Sequence, residues 1–595
     1  MDYLRLLQQT AQYFSEHQQQ AYLVGGSLRN ILLSEDCVDW DIVTPGDAHK
    51  LARRLADRLG GHYVRMHEKA SRVVVVLDPD STTNKKHRKE IRLDISPQNG
   101  KTIEDDLRHR DFTINAIAAL LANIVKYVES ELAGREPPGQ ESEFPGRELE
   151  FPGRELEFPG RGQAPPLQYD EGADSFMVGA GLAPALEIPA PEIPALHTPT
   201  PHTPVQPAAL PAVALGIIDP FHGLADLQAR RLKAVDGEVF RHDPLRMLRA
   251  VRLMMRYRLQ MDGWTEGLMV RDAALLPQVA AERVHDELYA ILEPDGASER
   301  LRFLDAHGLF TVIFPEFVAA RGMPQPAPHY WDVLEHSIES VGALERVAQL
   351  LQGETERRNI VGAPLAGALG TEAAGALVAE IRPLLREAEQ QRIFSFADLT
   401  APRMKLAALL HDIGKPLTFS CDEEGEIHFY NHPQVGVRIV EQIMKRLCAS
   451  TQDRRLAQLV AAHHMRPGQL AQGGLVTPRA FRRYFVDLGP TGIYVALLSL
   501  ADHLATLGPQ QATDSWQRHL GVVRLLLTRY IRERDSILPP QLISPEELMR
   551  RLKLQPGPVI GQLLDLIAEA QAEGTIHSKE EAFWLAEEKI HEMNL

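Results

Sequence analysis

The chain is poor in cysteine and has no long apolar run. Its 595 residues include three cysteines, Cys37, Cys421 and Cys448, at spacings that suit neither a disulfide framework nor a cysteine-ligated metal. This scarcity is typical of a reducing compartment, so we expect a cytoplasmic location. Because no run of about 18 apolar residues occurs and residues 1–20 are polar, the sequence predicts no membrane partner and no signal peptide.

Positive charge is also scarce. Lys and Arg number 64 against 80 Asp and Glu, and the net charge of −16 by itself argues against nucleic acid. The charge is uneven, however. Residues 129–175 hold 12 acidic and 4 basic residues, whereas residues 226–258 hold 4 acidic and 9 basic ones. The second segment is able to bind phosphate locally, although a solvated helix face is the alternative interpretation.

Two parts of the chain differ in their hydrophobic pattern. Residues 1–128 read as an α/β unit, and from residue 217 the chain reads as helical to its end. In the first part we expect helices at 2–16, from Ser27 and at 111–122, with strands at 21–24, 38–43, 72–77 and 91–95. In the second part we expect helices at 244–254, 281–292, 297–307, 331–352, 403–411, 433–447, 454–464 and 492–506. A Gly/Ala-rich stretch at 353–379 is predicted to be a loop or a second insertion.

A low-complexity segment separates these parts. It contains "EFPGRELEFPGRELEFPGRG", a repeat of seven residues, followed by a proline-dense stretch. Seven is also the coiled-coil period, but proline and glycine in each repeat forbid a helix. We therefore predict that residues 129–215 are a disordered insertion.

The first motif that carries chemistry is "VGGSLRN…VDWDIV" near the N-terminus. On a strand, Asp39 and Asp41 would point to the same side, and Mg²⁺ would relieve their repulsion. The alternative is an aspartate-rich turn with the strand starting at Trp40. The upstream Gly25-Gly26-Ser27 turn favours the first interpretation, because its N–H groups are able to hold phosphate oxygens.

Two further motifs are rich in arginine. In "DDLRHRDFTINAIA", Arg108 and Arg110 suit phosphate and Asn115 donates and accepts, although Asp111 with Thr113 is also a plausible helix cap. In "FRHDPLRMLRAVRL", three arginines recur every three residues, and Asp243 precedes the first of them on the same predicted helix flank. A carboxylate beside a guanidinium is able to imitate the pairing edge of a base, and a surface salt bridge is the alternative.

Together with "DPFHGLADLQARRLKAV" and "VAAERVHDELYAIL", these motifs resemble the class II tRNA nucleotidyltransferase and poly(A) polymerase family, in that family's order. The resemblance covers most of residues 20–310 apart from the insertion. It implies an α+β chain, with a small nucleotidyltransferase-type α/β head followed by an all-α neck and body. The implied activity is template-independent addition of C and/or A to tRNA 3′ ends from CTP and ATP.

The resemblance also implies residue roles. Asp39 and Asp41 would bind two Mg²⁺ ions, with Asp94 as a candidate third carboxylate. Base pairing with the incoming nucleotide would fall to Asp243 and Arg246. The other nucleotide-binding candidates lie in the glycine turn and in the two arginine-rich motifs: Gly25, Gly26, Ser27, Arg29, Arg110, Asp111, Asn115, Arg249 and Arg252.

Two departures from the family pattern stand out. His242 occupies a position where the family usually has Glu, but the base-reading pair beside it is kept. Only about eight residues separate the strand at 91–95 from Glu104, where many CCA-adding members have a longer flexible loop. This short connection raises the possibility of an enzyme restricted to part of the CCA sequence.

The second half contains a series of histidines and aspartates. "ALLHDIGKP" holds adjacent His411 and Asp412, preceded by His336 and followed by further members in "YNHPQVG", "AAHHMRP" and "LADHLA". Such residues on several helices are able to converge on a metal in a bundle core. The order resembles an HD phosphohydrolase domain, all-α in fold. It implies a divalent transition metal, of unspecified identity, on His336, His411, Asp412 and Asp502. His432 and His463 would help to hold a second ion or phosphate.

The implied activity of this domain is hydrolysis of phosphomonoesters or 2′,3′-cyclic phosphates at RNA ends by water that a metal activates. Two other readings stay open: a poly(A) polymerase of the same family, and an HD hydrolase whose head only binds RNA. The oligomeric state is also open. The predicted domains are the head at 1–128 with 216–240, the insertion at 129–215, a neck and body at 241–325, the HD domain at 326–530 and a helical tail at 531–595.

Overall fold

The computed structural model describes residues 3–33, 35, 37–66, 70–77, 89–133, 215–353, 365–473, 476–508, 514–537 and 540–593. The chain divides into two compact units. The first unit comprises Met1–Gln98 and Ala118–Ile218, and the second comprises Asn99–Ile117 and Asp219–Leu595. Most of the predicted insertion, residues 134–214, lies outside the described residues.

The first unit is a six-stranded sheet with helices packed against it. Its strands are β1 (Tyr22–Val24), β2 (Asp39–Thr44), β3 (His62–Arg65), β4 (Ser71–Leu77), β5 (Lys89–Pro97) and β6 (Ala118–Leu120). Its helices are Tyr3–Glu16, Gly25–Leu32, Ala48–Leu59 and Leu121–Ala133. The strand order is β3-β4-β5-β2-β1-β6, in which β2 and β5 are parallel and the other neighbours antiparallel.

The core of this unit lies on one side of the central strands. Trp40 and Ile42 of β2 are buried, and Trp40 meets Tyr3 of the first helix edge to face with 5.0 Å between ring centroids. Val73 and Val75 of β4 are also buried, as β-branched residues on the covered face of a sheet should be. The opposite side chains of β2 are therefore turned away from this core.

The helix predicted at 111–122 is wrong. A 3-10 turn at Thr113–Asn115 leads to β6, which pairs with β1, and the helix begins only at Leu121. The apolar run around Ile117 suits a buried strand as well as a helix, and the open edge of β1 decided the outcome. The helix then continues to Ala133, so residues 129–133 are helical rather than disordered.

The second unit is mostly helical. Before the HD region its elements are Ile103–Arg108, Thr113–Asn115, Gly223–Gln228, Arg231–Leu232, Val239–His242, Arg246–Tyr257, Gln260–Met261, Gly263–Asp272, Ala273–Gln278, Ala281–Leu292, Ala297–Ala306, Leu309–Ile313 and Pro315–Ala320. The HD region has Val333–Gln352, Leu365–Gln390, Phe396–Leu399, Pro402–Leu410, Lys415–Thr418, Phe419–Cys421, Ile427–Phe429, His432–Arg446, Thr451–His463, Met465–Gln472, Pro478–Leu488, Thr491–Leu507, Asp514–Arg532 and Arg534–Ile537. The tail helices are Pro545–Leu552, Pro558–Ala572 and Lys579–Glu592.

Four helices of the HD region pack together: Val333–Gln352, Pro402–Leu410, Thr451–His463 and Thr491–Leu507. His336 and Asp502 lie on the first and the last of them, His411 and His464 directly follow the second and the third, and His432 begins the helix His432–Arg446. The tail helices pack around a separate cluster that includes Leu548, Leu563 and Ile567.

The loop predicted at 353–379 is wrong where it is described, since an Ala-rich helix begins at Leu365. Residues 354–364 lie outside the described residues.

In the described part of the chain, no single helix is long and apolar enough to cross a membrane. One bent pair, Pro478–Leu488 with Thr491–Leu507 at 107°, passes by length and composition only.

Candidate functional site

The glycine turn of the first unit joins a strand to a helix. Gly25 follows β1 with φ at +64°, a conformation that favours glycine, and the helix Gly25–Leu32 starts there. A Cβ on Gly26 would lie 3.3 Å from Nη2 of Arg29. The turn thus presents a helix N-terminus beside a buried guanidinium, which suits an anion such as phosphate.

Asp39 and Asp41 lie on the same face of β2. Trp40 and Ile42, which alternate with the two aspartates along the strand, are buried on the other face. Asp39 is exposed and Asp41 is half-buried. Ser27 fixes their backbone, since its Oγ accepts the Asp41 N–H at 2.7 Å and lies 2.9 Å from the Asp39 carbonyl oxygen. The same hydroxyl is 3.2 Å from Oδ2 of Asp41. The glycine turn and the carboxylates are therefore joined through one side chain.

Asp94 of β5 is the register partner of Asp41 on the parallel neighbour, so both face the same way. Arg72, which follows Ser71 in β4, donates two hydrogen bonds to Asp94, at 2.7 and 2.8 Å. These hydrogen bonds raise the pKa of Arg72, to which Asp39 and Asp41 also contribute. Hard carboxylate oxygens fit Mg²⁺. Asp39 Oδ1 lies 3.4 Å from Nη1 of the exposed Arg92, whereas Arg72 holds both oxygens of Asp94 at 2.7 and 2.8 Å, so Asp39 and Asp41 are the better candidates.

In the second unit, Asp111 and its neighbours form a compact polar group. Asp111 is buried and accepts from the Phe112 N–H, from Nδ2 of Asn115 at 2.9 Å and from Nη1 of Arg249 at 3.3 Å. Burial alone would raise the pKa of Asp111, but Arg249 and these hydrogen bonds outweigh it and lower the pKa. Arg110 donates to Asp106 at 3.1 Å. Asp111 therefore acts as the anchor of this group rather than as a cap of the predicted helix.

The two residues expected to read the base do not share a helix flank. Asp243 has extended backbone and ends the short helix Val239–His242, while the next helix begins at Arg246. Arg283 donates to Asp243 at 2.8 Å, and Arg246 donates to the His109 carbonyl at 2.8 Å. Burial lowers the pKa of Arg246 despite the nearby carboxylates. The two side chains are thus oriented separately, each by its own partner.

Arg249 and Arg252 share a carboxylate that the sequence interpretation missed. Glu287, from the helix Ala281–Leu292, accepts from Nε of Arg252 at 2.7 Å and lies 3.6 Å from Arg249. Burial opposes the charge of Arg249, but Asp111 and Glu287 raise its pKa. Glu287 and Arg283 both lie in the motif "VAAERVHDELYAIL", which indicates the helix but not the partners of these side chains.

The HD region gathers its ionisable residues into two adjoining groups. His336, His411, Asp412 and Asp502 offer ligand atoms within 4.8 Å of one another, and so do Asp412, His432 and His464. Asp412 belongs to both groups, with Oδ2 3.2 Å from His411 Nε2 and Oδ1 3.2 Å from His464 Nε2. Nζ of Lys415 lies 2.6 Å from Oδ2 of the same carboxylate.

Hydrogen bonds to the backbone turn three histidines of this cluster toward its centre. Nδ1 of His411, His432 and His464 lies 2.7 to 3.0 Å from the carbonyl oxygens of Ala408, Phe429 and Ala461. A carbonyl only accepts, so each Nδ1 carries a proton. Each Nε2 lies 3.2 to 3.4 Å from an oxygen of Asp412, and those of His432 and His464 lie 3.4 Å from each other, so all three nitrogens face the cluster. His336 Nε2 lies 2.9 Å from Asp502 Oδ1, and no described residue outside the cluster forms a hydrogen bond with His411 Nε2, Asp412 Oδ1 or either ring nitrogen of His336. Buried polar atoms that face only one another in this way fit a pair of divalent ions.

His463, which we predicted as a ligand, is replaced by its neighbour. His463 is the last residue of the helix Thr451–His463, and its Nδ1 lies 3.4 Å from Arg466 rather than in the cluster. His464, buried one position later, occupies the predicted place. Consecutive helical side chains point about 100° apart, so only one of the two is able to face the bundle core.

Strong electrostatic coupling accompanies this arrangement. Burial by itself would lower the pKa of His411, but Asp412 and Asp502 outweigh it and raise the pKa to about 10. Burial opposes ionisation of Asp412 and Asp502 too, yet the neighbouring histidines lower the pKa of both well below the ordinary value. The cluster therefore holds two buried carboxylates as anions, as a cation site requires.

Three protein-family models match segments of this chain. The model of the Poly A polymerase head domain matches residues 21–129, that of the "Probable RNA and SrmB- binding site of polymerase A" matches 258–321, and that of the HD domain matches 378–507. An A-adding tRNA nucleotidyltransferase of Deinococcus radiodurans is 31% identical over 374 residues, 62% of this chain and 73% of that protein. A CC-adding tRNA nucleotidyltransferase of Thermus thermophilus is 32% identical over 368 residues, 60% of this chain and 69% of that protein.

The chain belongs to the tRNA nucleotidyltransferase family. It is thus a nucleotidyltransferase with an HD domain, which confirms the resemblance predicted from the motifs. The predicted fold class, an α/β head followed by helical domains, is confirmed as well. A solved CCA-adding enzyme in complex with ATP shares the fold, with a TM-score of 0.51 at 16% identity over 100% of this chain and 95% of that one.

Proposed function

We propose that the chain adds C and/or A to the 3′ ends of tRNA from CTP and ATP. The observation that carries this proposal is the pair Asp39 and Asp41 on one face of β2, tied through Ser27 to the helix that follows the glycine turn. In the reaction, the RNA 3′-oxygen forms a bond to the α-phosphorus and the bond to the leaving pyrophosphate breaks. Mg²⁺ held by Asp39 and Asp41 would activate the 3′-hydroxyl and neutralise the triphosphate.

The neighbouring side chains take supporting roles in this proposal. Gly25, Gly26 and Arg29 receive the triphosphate. We assign Asp94 to the positioning of Arg72 rather than to metal binding, because both of its oxygens accept from that guanidinium. Arg72 then contributes a fixed positive charge next to the carboxylates.

Nucleotide choice is assigned to the second unit. Asp243 and Arg246 present an acceptor and a fork of donors, and Arg283 holds the carboxylate in place. Arg110, Asp111, Asn115, Arg249 and Arg252 form the polar support of this region. Only Gln98–Thr102 join β5 to the helix Ile103–Arg108, so the long loop of many CCA-adding members is absent from this fully described stretch. This favours an enzyme that adds part of the CCA sequence.

The test is extension of tRNA that lacks its 3′ terminus, with Mg²⁺ and CTP, ATP or both, followed by sequencing of the products. Asp39→Ala should abolish extension, while Asp57→Ala, which removes an exposed aspartate of the same unit, should not. Extension by Asp39→Ala at the parental rate would overturn the proposal. A long ladder with ATP alone would instead indicate a poly(A) polymerase.

A second function is favoured by the buried HD cluster. We propose that it hydrolyses phosphomonoesters or 2′,3′-cyclic phosphates at RNA ends. Water adds to phosphorus, the ester P–O bond breaks and the leaving oxygen takes up a proton. Divalent ions bound by His336, His411, Asp412 and Asp502, and by Asp412, His432 and His464, would supply the activated water.

Separate variants distinguish the two activities. His411→Ala should lose hydrolysis and keep nucleotide addition, and Asp39→Ala should do the reverse. A protein in which Asp39→Ala keeps hydrolysis while the wild type extends no RNA would support the reading in which the head only binds RNA.

A further inference from the structure

An arginine that the proposed function does not use lies beside Asp39. Arg92 of β5 is the register partner of Asp39 on the parallel strand β2, so both side chains stand on one face of the sheet. Asp41 and Asp94 are paired in the same way two residues further on. Nη1 of Arg92 lies 3.4 Å from Oδ1 of Asp39. Arg92 is thus a second guanidinium, besides Arg72, on the face of the carboxylates.

The two arginines are held to different degrees. Arg72 donates to both oxygens of Asp94, at 2.7 and 2.8 Å. Arg92 has the single long contact with Asp39, and among the described residues no other hydrogen bond or ion pair engages its guanidinium. The Arg92 and Asp39 side chains are 44% and 49% exposed, and an exposed ion pair of this kind contributes little to stability. Arg92 therefore has donors to offer to an anion.

The sheet places Arg92 and the glycine turn on opposite sides of β2. In the order β5-β2-β1, one neighbour of β2 is β5 and the other is β1, which leads into the turn. At the level of Asp39 and Asp41, the β1 side is occupied by Ser27, whose Oγ contacts the backbone of both aspartates. Arg92 and Asp94 lie at the same level on the β5 side. The carboxylates are therefore flanked by the turn on one side and by a guanidinium on the other.

The geometry of nucleotide addition gives these two sides different occupants. In phosphoryl transfer, the attacking and leaving oxygens lie roughly in line on opposite sides of the phosphorus. With the triphosphate at the glycine turn, the pyrophosphate leaves on the β1 side and the RNA 3′-oxygen attacks from the β5 side. The sugar that carries this oxygen also carries a phosphodiester at its 5′ position. That phosphodiester is the backbone phosphate nearest to the attacking oxygen.

We propose that Arg92 binds the phosphodiester on the 5′ side of the terminal RNA nucleotide and so positions the 3′-hydroxyl for attack. The proposal rests on the nucleotide addition proposed above and adds a substrate contact to that site. A guanidinium binds phosphate oxygens through paired, charge-assisted hydrogen bonds, which are stronger than the 3.4 Å contact with Asp39 that it gives up. The exchange also frees Oδ1 of Asp39 for a cation.

The test combines Arg92→Met with a change in the RNA itself. A tRNA that lacks its 3′ terminus is prepared with a methylphosphonate at its last internucleotide linkage, which removes the charge of that phosphate. The wild type should extend this RNA with a kcat/KM about tenfold lower than that for the unmodified RNA, because a charge-assisted contact is lost. Arg92→Met should lower kcat/KM for the unmodified RNA by a similar factor. The methylphosphonate should then cause no further loss, since both changes remove the same contact.

Arg65→Met is the matched control. Arg65 is an exposed arginine of β3, and its register partner is Ser71, so its side chain stands on the opposite face from Arg72. This variant should extend both RNAs at the wild-type kcat/KM and keep the methylphosphonate effect. Arg92→Lys, which retains the positive charge, should recover part of the loss seen in Arg92→Met. The KM for CTP and ATP should stay unchanged in all three variants.

Three results would overturn the proposal. A methylphosphonate effect of equal size in the wild type and in Arg92→Met would show that Arg92 does not contact this phosphate. A higher KM for CTP or ATP in Arg92→Met, with unchanged kcat/KM for the RNA, would place Arg92 at the triphosphate. A lower kcat on both RNAs, with the methylphosphonate effect retained, would show that Arg92 acts only through Asp39.

Failure of nucleotide addition is recognised separately. If the wild type extends neither RNA, the addition proposed above is wrong, and RNA binding then decides on Arg92. Fluorescence anisotropy without added metal gives Kd for the two RNAs. Weaker binding of the unmodified RNA by Arg92→Met, together with equal binding of the methylphosphonate RNA by both proteins, supports the contact. Equal Kd values of both proteins for the unmodified RNA refute it.

Discussion

The sharpest stability prediction concerns a fully buried lysine in the second unit. Nζ of Lys405 lies 2.7 Å from Oε1 of Glu345 and donates to the carbonyls of Leu292, Glu293 and Pro294 at 2.8 to 3.1 Å. Glu345 in turn accepts from the N–H groups that begin the helix Ala297–Ala306. The pair therefore satisfies the end of one helix and the start of the next.

Replacing Lys405 by Met should loosen this junction strongly. The methionine fills a similar volume, but it leaves Glu345 buried without its counter-charge and removes the donor from the Leu292 and Glu293 carbonyls, while the Pro294 carbonyl still accepts from Arg300. Breaking one side of a buried ion pair costs about 3–5 kcal/mol. If the junction opens locally, amide exchange at Gly296 and Ala297 should accelerate roughly 150- to 5,000-fold.

Hydrogen exchange read by mass spectrometry measures this effect on peptides that cover residues 281–306. Lys579→Met is the matched control, since Lys579 lies at the same 2.7 Å from Glu547 but the two side chains are 52% and 40% exposed, against 0% and 5% for Lys405 and Glu345. Exchange near Glu547 should stay close to the wild-type rate because solvent screens that pair.

A double variant tests whether the uncompensated charge of Glu345 causes the loss of stability. Adding Glu345→Gln to Lys405→Met removes the uncompensated charge. The double variant should therefore lose less stability than the sum of the losses in the two single variants. Exchange in Lys405→Met at the rate of the wild type, or strict additivity in the double variant, would refute the claim that burial makes this pair important.

Three further predictions address the sites. His464→Ala should lower bound metal by about one ion per chain by elemental analysis, whereas His463→Ala should not; the opposite result would restore the assignment made from the sequence. Arg283→Met, which frees Asp243, should lower kcat/KM for the correct nucleotide about tenfold and raise incorporation of UTP; unchanged selection would contradict the role of that contact. Replacing residues 134–214 with a short Gly/Ser linker should leave nucleotide addition intact, because the described segments on either side are already joined by the bridge between Ala118 and Ile218 and by a hydrogen bond from Asn123 Nδ2 to the Leu215 carbonyl; insoluble protein would show that the segment is needed for folding.

The sequence correctly predicted the strands whose side-chain pattern is set within a few neighbouring residues. The β-branched run of β4 and the alternation around Asp39 and Asp41 gave the strands and the shared face of the carboxylates, because side-chain period and burial act within a few residues. The strand β6 was missed because its identity depends on the open edge of β1, about a hundred residues earlier in the chain. Periodicity does not report such an edge.

Contacts between charged residues that are distant in sequence could likewise not be predicted. Arg72 reaches Asp94 on the neighbouring strand, 22 positions along the chain, Arg283 reaches Asp243 over 40 positions, and Lys405 reaches Glu345 from another helix. Each charge alone reads as an ordinary surface residue. Only the fold shows that these charges orient a carboxylate or neutralise one that is buried.

The choice between His463 and His464 shows a rule that sequence reasoning is able to use. His411 and His464 each directly follow a helix, where the carbonyl three residues earlier has lost its helical partner. Nδ1–H of each ring donates to that carbonyl, Ala408 or Ala461, and this hydrogen bond turns Nε2 away from the helix toward Asp412. A histidine inside the last turn has no such carbonyl to bind. In a pair of adjacent histidines at a helix end, the second is therefore the better candidate ligand, and the metal content of His464→Ala and His463→Ala decides whether that argument holds.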